Sequence, residues 1–118
     1  MHIPREATLL RIFLGEADRY LHQPLYEALV LKAREMHLAG ATVIRGSLGF
    51  GHSSRLHSSK ILRLSDDLPL VVEIVDSREK IDAFLDAIEP MMGSALITLE
   101  AAKVVQYGTG QPPASTQP

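Results

Sequence analysis

The sequence predicts an α+β fold in the order strand, helix, strand, strand, helix, strand, and three observations carry that prediction. Two segments, Leu25 to Met36 and Ile81 to Ile88, place apolar residues at helical spacing. Short β-branched or alternating apolar runs lie before, between and after them. Proline, glycine or serine stands at most of the boundaries, where each has a backbone reason to be. With 118 residues and 46% hydrophobic content, the chain can bury a real core and has room for one domain.

Leu9 to Leu14 is an apolar run interrupted only by Arg11 and ended by Gly15, which reads as a mostly buried strand. Pro24 suits the first turn of a helix, where its missing N–H has no intrahelical partner to lose. Leu25, Leu29, Ala33 and Met36 then form one face, and Gly40 supplies a left-handed residue to close the helix. Leu31 and Leu38 project toward the charged side of Glu27 and Arg34, either as the scattered exposed leucines ordinary on a surface or as a subunit contact.

Ala41 to Ile44 begins a second strand that runs into a loop punctuated by Gly46, Gly49 and Gly51. Apolar character returns at Ile61 to Leu64, breaks at Ser65 to Asp67, and resumes after Pro69 as Leu70 to Val75, where the proline suggests a strand start, bend or edge. Ser77 can cap the next helix, whose Ile81, Phe84, Leu85 and Ile88 sit at i, i+3, i+4 and i+7. Pro90 and Gly93 end it, and Ala95 to Val105 gives the last strand. Residues 108–118 are a polar tail with nothing to bury, expected to be disordered after a domain at 1–107.

Two strand-helix-strand halves joined by right-handed crossovers give a ferredoxin-like βαββαβ domain, a four-stranded antiparallel sheet with both helices on one face. The other face is left uncovered. Leu70 to Val75 is too apolar for a wet face, so the chain is expected to self-associate through it.

Charge singles out one segment. Between Ile44 and Ser65 stand Arg45, Arg55, Lys60 and Arg63, with His52 and His57 and no acid. The other eight basic residues face all 14 acids, so the remainder is formally −6 and this window +4. That is an anion-attracting patch on an acidic body. The overall charge of −2 argues against a nucleic-acid binder. The absence of cysteine excludes disulfides and thiolate metal sites and suits a reducing cytoplasm. No apolar run is long enough to insert in a bilayer, and Met1 to Glu6 lacks the character of a signal peptide, so a cytoplasmic protein is expected.

No complete catalytic or metal-binding signature is present. His52, Ser53, Ser54 and His57 are near in sequence, but no carboxylate within the window orients a histidine. His52 and His57 would need further ligands from elsewhere to hold a metal, and the alternative of a small ferredoxin-like enzyme or metal protein rests on them. Anion binding is the better match. Gly46, Gly49 and Gly51 allow close backbone approach, and Arg45, Arg55 and Lys60 supply charge, although the spacing is neither a P-loop nor a dinucleotide fingerprint.

Ala41-Thr42-Val43-Ile44-Arg45-Gly46 followed by Gly49-Phe50-Gly51 resembles the strand-into-T-loop segment of the PII signalling family. The likeness is closer still to a PII-like group of unknown function, and it covers about Leu9 to Val105. Leu10 to Phe13 with Gly15-Glu16, Pro24 to Ala28, Ser53-Ser54-Arg55 with His57, Leu62 to Ser65 with Asp67-Leu68-Pro69, and Glu73 to Asp76 carry it. The resemblance implies a trimeric regulatory protein with no catalytic residues, no resident cofactor and no metal. Its ligand would be an adenine nucleotide or other small anion in clefts between subunits. Arg45, Gly49, Phe50, Gly51, Arg55, His57 and Lys60 are the implied ligand or anion contacts. His52, Ser53, Ser54 and Arg55 would meet a partner from the T-loop-like segment 45–60. A membrane transporter, a channel or a regulated enzyme is the implied partner. Two features depart from the PII pattern. Glu89 to Ser94, in place of a connection rich in glycine and lysine, has one glycine and no basic residue, which argues against holding ATP in the PII manner. The tyrosines are Tyr20, Tyr26 and Tyr107, so the loop carries none to be uridylylated.

Overall fold

The computed structural model describes residues 3–50 and 67–108. The first apolar run becomes β1 (Glu6–Gly15), the longest strand among the described residues. It pairs antiparallel with β5 (Pro69–Asp76) on one side and β6 (Leu96–Lys103) on the other. β4 (Thr42–Arg45) pairs antiparallel with the far edge of β5, so the sheet order is β4-β5-β1-β6. The helices α1 (Leu25–Glu35) and α2 (Arg78–Ile88) cover one face of this sheet. This is the expected ferredoxin-like arrangement. Pro69 opens β5, one of the three positions its proline allowed, while Ile61 to Leu64 and the tail from residue 109 lie outside the described residues.

The core follows from period two in the strands meeting period 3.6 in the helices. Leu10, Ile12 and Leu14 of β1 stand beside Ile74, Val72 and Leu70 of β5. Leu25, Leu29 and Ala33 of α1 and Ile81, Phe84 and Ile88 of α2 pack down on them, and all are buried. The opposite face shows Leu9, Arg11 and Phe13 beside Val75, Glu73 and Val71. In its centre Arg11 Nε donates to Glu73 (2.9 Å) and Nη1 to Glu100 (3.2 Å), spanning both neighbouring strands. The Glu73 hydrogen bond, with smaller help from Glu100, raises the Arg11 pKa above its ordinary value despite the opposing effect of burial. The face thus has an apolar row of Ile44, Phe13 and Leu96 across its loop end beside a charged centre, rather than being uniformly apolar.

Three local expectations are corrected. Pro24 is the residue before α1, in extended conformation, and it closes a small hairpin of β2 (Arg19–Tyr20) and β3 (Gln23–Pro24) that no sequence pattern marked. α1 is closed not by Gly40 but by His37, at φ +62°. His37 N donates to Arg34 O (3.1 Å) and Leu38 N to Ala33 O (3.0 Å), the paired bonds of a Schellman cap. The cap also reverses the expectation for Leu38. Because the helix has ended, Leu38 turns into the core and is only 7% exposed, whereas Leu31 is 57% exposed as its helical position demands.

The segment after this cap is fixed by one buried acid. Asp76, at the end of β5, accepts from Ser77 N (2.7 Å) at Oδ1 and from Ala39 N (2.8 Å) at Oδ2. Ser77 then caps α2, its Oγ accepting from Lys80 N (3.1 Å). Lys80 Nζ donates to His37 O (2.7 Å) and Tyr107 Oη to Ala39 O (2.8 Å), so α2 and the chain after β6 both tie to the same turn.

Two outcomes are expected. Replacing His37 with glycine relieves a left-handed backbone cost of about 1–2 kcal/mol, partly offset by the greater freedom of glycine when unfolded. The net gain of about 0.5–1 kcal/mol should appear as a higher urea midpoint at unchanged slope. Asp76→Ala strands two part-buried N–H groups and should lower unfolding free energy by about 1–3 kcal/mol in the same assay.

Candidate functional site

Antiparallel pairing brings the end of β1, the end of β4, the start of β5 and the start of β6 to one end of the sheet. A cleft of about 650 Å³ opens there. Phe13, Leu14 and Gly15 of β1, Pro69 to Val71 of β5 and the connection Gly93 to Leu96 form its floor and one side. Gly49 and Phe50, from the root of the glycine-punctuated loop, form another wall, and Asp18 and Asp67 are the charged residues of the described lining. Its size suits a small molecule.

The turn after β1 explains why those acids converge. Gly15 N donates to Asp18 Oδ2 (3.0 Å) and Asp18 N to Gly15 O (3.1 Å), a tight local turn. Ala17 N donates to Asp67 Oδ1 (3.0 Å) and Glu16 N to Leu68 O (2.8 Å), joining this turn to the chain entering β5. A Cβ at position 15 would lie 2.6 Å from Asp67 Oδ1, so glycine is what lets that carboxylate approach the backbone.

The loop root is held to the same platform. Gly46 N donates to Pro69 O (2.7 Å), and a Cβ at position 46 would stand 2.9 Å from the proline ring. At the last residue of β4, Arg45 Nη2 donates to Glu16 Oε2 (2.6 Å) and Nε to Oε1 (3.3 Å), a two-point ion pair. The hydrogen bond from Glu16, and then its charge, hold the Arg45 pKa above its ordinary value. Arg45 is therefore engaged by a carboxylate in the isolated chain.

Of the residues expected to hold a ligand, Gly49 and Phe50 line the cleft, and Arg45 stands at the junction of β4 and the loop root. Gly51, His52, Ser53, Ser54, Arg55, His57 and Lys60 lie outside the described residues. Glu16, Asp18 and Asp67 were not among the expected contacts. Asp67 falls two residues past the acid-free window and meets Ala17 across 50 positions of sequence, so no local pattern links them. Among the described residues, no three histidines or acids converge as metal ligands, and no helix is long and apolar enough to cross a membrane.

Chemically, Phe13 and Phe50 offer aromatic surface, Asp18 and Asp67 offer acceptors for hydroxyl or amine hydrogens, and the glycines at 49 and 93 expose backbone. The described lining contains no basic side chain.

This is the fold of the PII-like proteins. CPII, a nitrogen regulatory PII-like protein from Thiomonas intermedia K12, superposes in its complex with ADP, AMP and acetate at TM-score 0.60. The match has 16% identity and covers 86% of this chain and 90% of that one. A putative PII-like signaling protein, TTHA0516 from Thermus thermophilus, matches at TM-score 0.58 and 17% identity over 88% and 93% of the two chains. The chain itself belongs to the DUF190 family, described as uncharacterized, whose model matches residues 7–104. A UPF0166 protein of Aquifex aeolicus is 41% identical over 97 residues, covering 82% of this chain and 91% of the relative. The UPF0166 protein MJ1524 of Methanocaldococcus jannaschii is 30% identical over 105 residues, covering 88% and 96%.

Proposed function

We propose that this chain is a cytoplasmic PII-like regulatory protein in which a ligand in the loop-end cleft controls how the segment 45–60 meets a protein partner. One observation carries the reading: Gly49 and Phe50 belong both to the loop root and to the cleft wall, so occupancy and loop position share a surface. The ligand class is an adenine nucleotide or small oxyanion. Solved structures of CPII, which has this fold, are described as bound to ADP and AMP with acetate or bicarbonate. The aromatic walls suit a planar base, and the two carboxylates suit ribose hydroxyls. Arg45, with Arg55, His57 and Lys60 beyond the described residues, supplies positive charge. The partner is a membrane transporter or channel, or a regulated enzyme, met by His52 to Arg55.

The cleft shares Phe13 and Leu96 with the open sheet face, where Ile44 is also uncovered. A trimer would cover that face and bring a neighbouring copy to the cleft. Light scattering at micromolar concentration should then give three times the 13.0 kDa chain mass; a monomer mass would remove this part of the reading.

Ligand binding is tested by thermal shift with ADP, AMP, ATP, bicarbonate and acetate. A ligand at a hundredfold its Kd contributes about 2.7 kcal/mol, several degrees for a domain of this size. ADP or AMP should give the largest shift. Phe50, 72% exposed in the cleft wall, should contribute stacking, so Phe50→Ala should weaken ADP binding roughly twofold to tenfold. No shift with any of the five compounds would leave no support for the ligand half.

A further inference from the structure

The cleft poses a charge problem. An oxyanion entering it meets Asp18 and Asp67, and the described lining offers no cation in return. The guanidinium at the loop root, Arg45, is already paired with Glu16. Glu16 lies between Gly15 and Asp18, both of which line the cleft, and its own N–H is bonded to Leu68 O, between Asp67 and Pro69 of the same lining. Arg45 is also paired with Leu70 of that lining, so the ion pair borders the cleft, although neither of its side chains is part of the lining. It is also reachable by solvent, the Arg45 side chain being 51% exposed and that of Glu16 28%. A pair so exposed is worth little, so a bound oxyanion can compete for it.

We infer that Arg45 is an anion receptor held in reserve by Glu16: an anionic ligand at the cleft takes the guanidinium from Glu16, and the loop root moves with it. This rests on the reading of the cleft as a ligand site but adds a specific exchange of partners to it. The mechanical link is short. Arg45 is the last residue of β4, Gly46 is bonded to Pro69 O, and Gly49 and Phe50 follow on the cleft wall. Shifting the arginine therefore loads the segment that carries Phe50. Glu16 lowers the affinity, because an anion that uses Arg45 must first displace a carboxylate.

The chain has no cysteine, so Leu48→Cys, at an exposed root position, accepts a single spin label in the full chain. Glu16→Gln keeps the side-chain shape while removing its charge. The label should be more mobile in the Glu16→Gln background without ligand. In the otherwise unaltered chain, inorganic phosphate should mobilise it more than chloride at equal ionic strength, and Arg45→Gln should abolish that difference. Glu16→Gln should also bind ADP roughly twofold to fivefold tighter, the worth of an exposed pair. Equal ADP affinity and equal label mobility in the parent and Glu16→Gln would overturn the exchange while leaving the cleft a nucleotide site. Phosphate mobilising the label through Arg45, with no binding of ADP to either protein, would uphold the exchange and remove the nucleotide reading instead.

Discussion

Everything in this domain depends on β1 being read in two directions at once. Its even-numbered residues must meet the helices, and its odd-numbered residues are then committed to the open face. Leu10, Ile12 and Leu14 satisfy the first demand by lying beside Ile74, Val72 and Leu70. Arg11 makes the register more definite, because only this alignment puts Glu73 opposite it and Glu100 within reach from β6. A slip of one residue would send Arg11 into the apolar layer and Ile12 out of it. The isolated value of a part-exposed ion pair is small, but the cost of burying that guanidinium unpaired is several kcal/mol, so the triad selects register more than it adds stability.

The same register creates two unlike ends. At one, Asp76 binds the N–H groups of Ala39 and Ser77, Lys80 reaches His37 O, and Tyr107 reaches Ala39 O. Helix, turn and terminal segment converge there on a buried carboxylate. At the other end, the bonds between Gly15, Ala17, Asp18 and Asp67 fix the platform, but the loop root is attached to it mainly by Gly46 and the exposed Arg45 pair. Local opening follows such differences in burial and bonding. The loop root beside the cleft is therefore the more loosely tied part, while the far end keeps the sheet and helices together.

Strong periodicity made much of this legible. α2 is set by Ile81, Phe84 and Ile88, all buried, and β5 by an alternation that places Leu70, Val72 and Ile74 inward. The hairpin of β2 and β3 has two residues per strand, too few for a period, and Leu21 at its turn adopts φ +56°, a conformation that leucine does not announce. Gly40 drew attention because glycine is the usual helix terminator, yet termination requires only that the cap's bonds and its apolar contact be made. His37 provides the left-handed backbone and Leu38 the contact. In the site, Gly49 and Phe50 were visible because glycines punctuate the loop. Asp67 and Glu16 were not, since their roles come from contacts made across the sheet's end.

The acid-free stretch between Ile44 and Ser65 changes meaning once those contacts are known. Its first cation is neutralised by Glu16 from the turn after β1, and acids from outside the stretch, Asp18 and Asp67, line the cleft beneath its root. The connection Glu89 to Ser94 contributes no positive charge. An anion at this cleft must therefore draw its compensation from Arg45 after exchange, from the loop's later cations, or from another copy of the chain. The first of these would couple binding to a change of partner at the loop root, which a preformed basic connection would not. If the cleft holds an anion as proposed, the non-basic connection at 89–94 leaves charge recognition to Arg45 and the segment that begins with it.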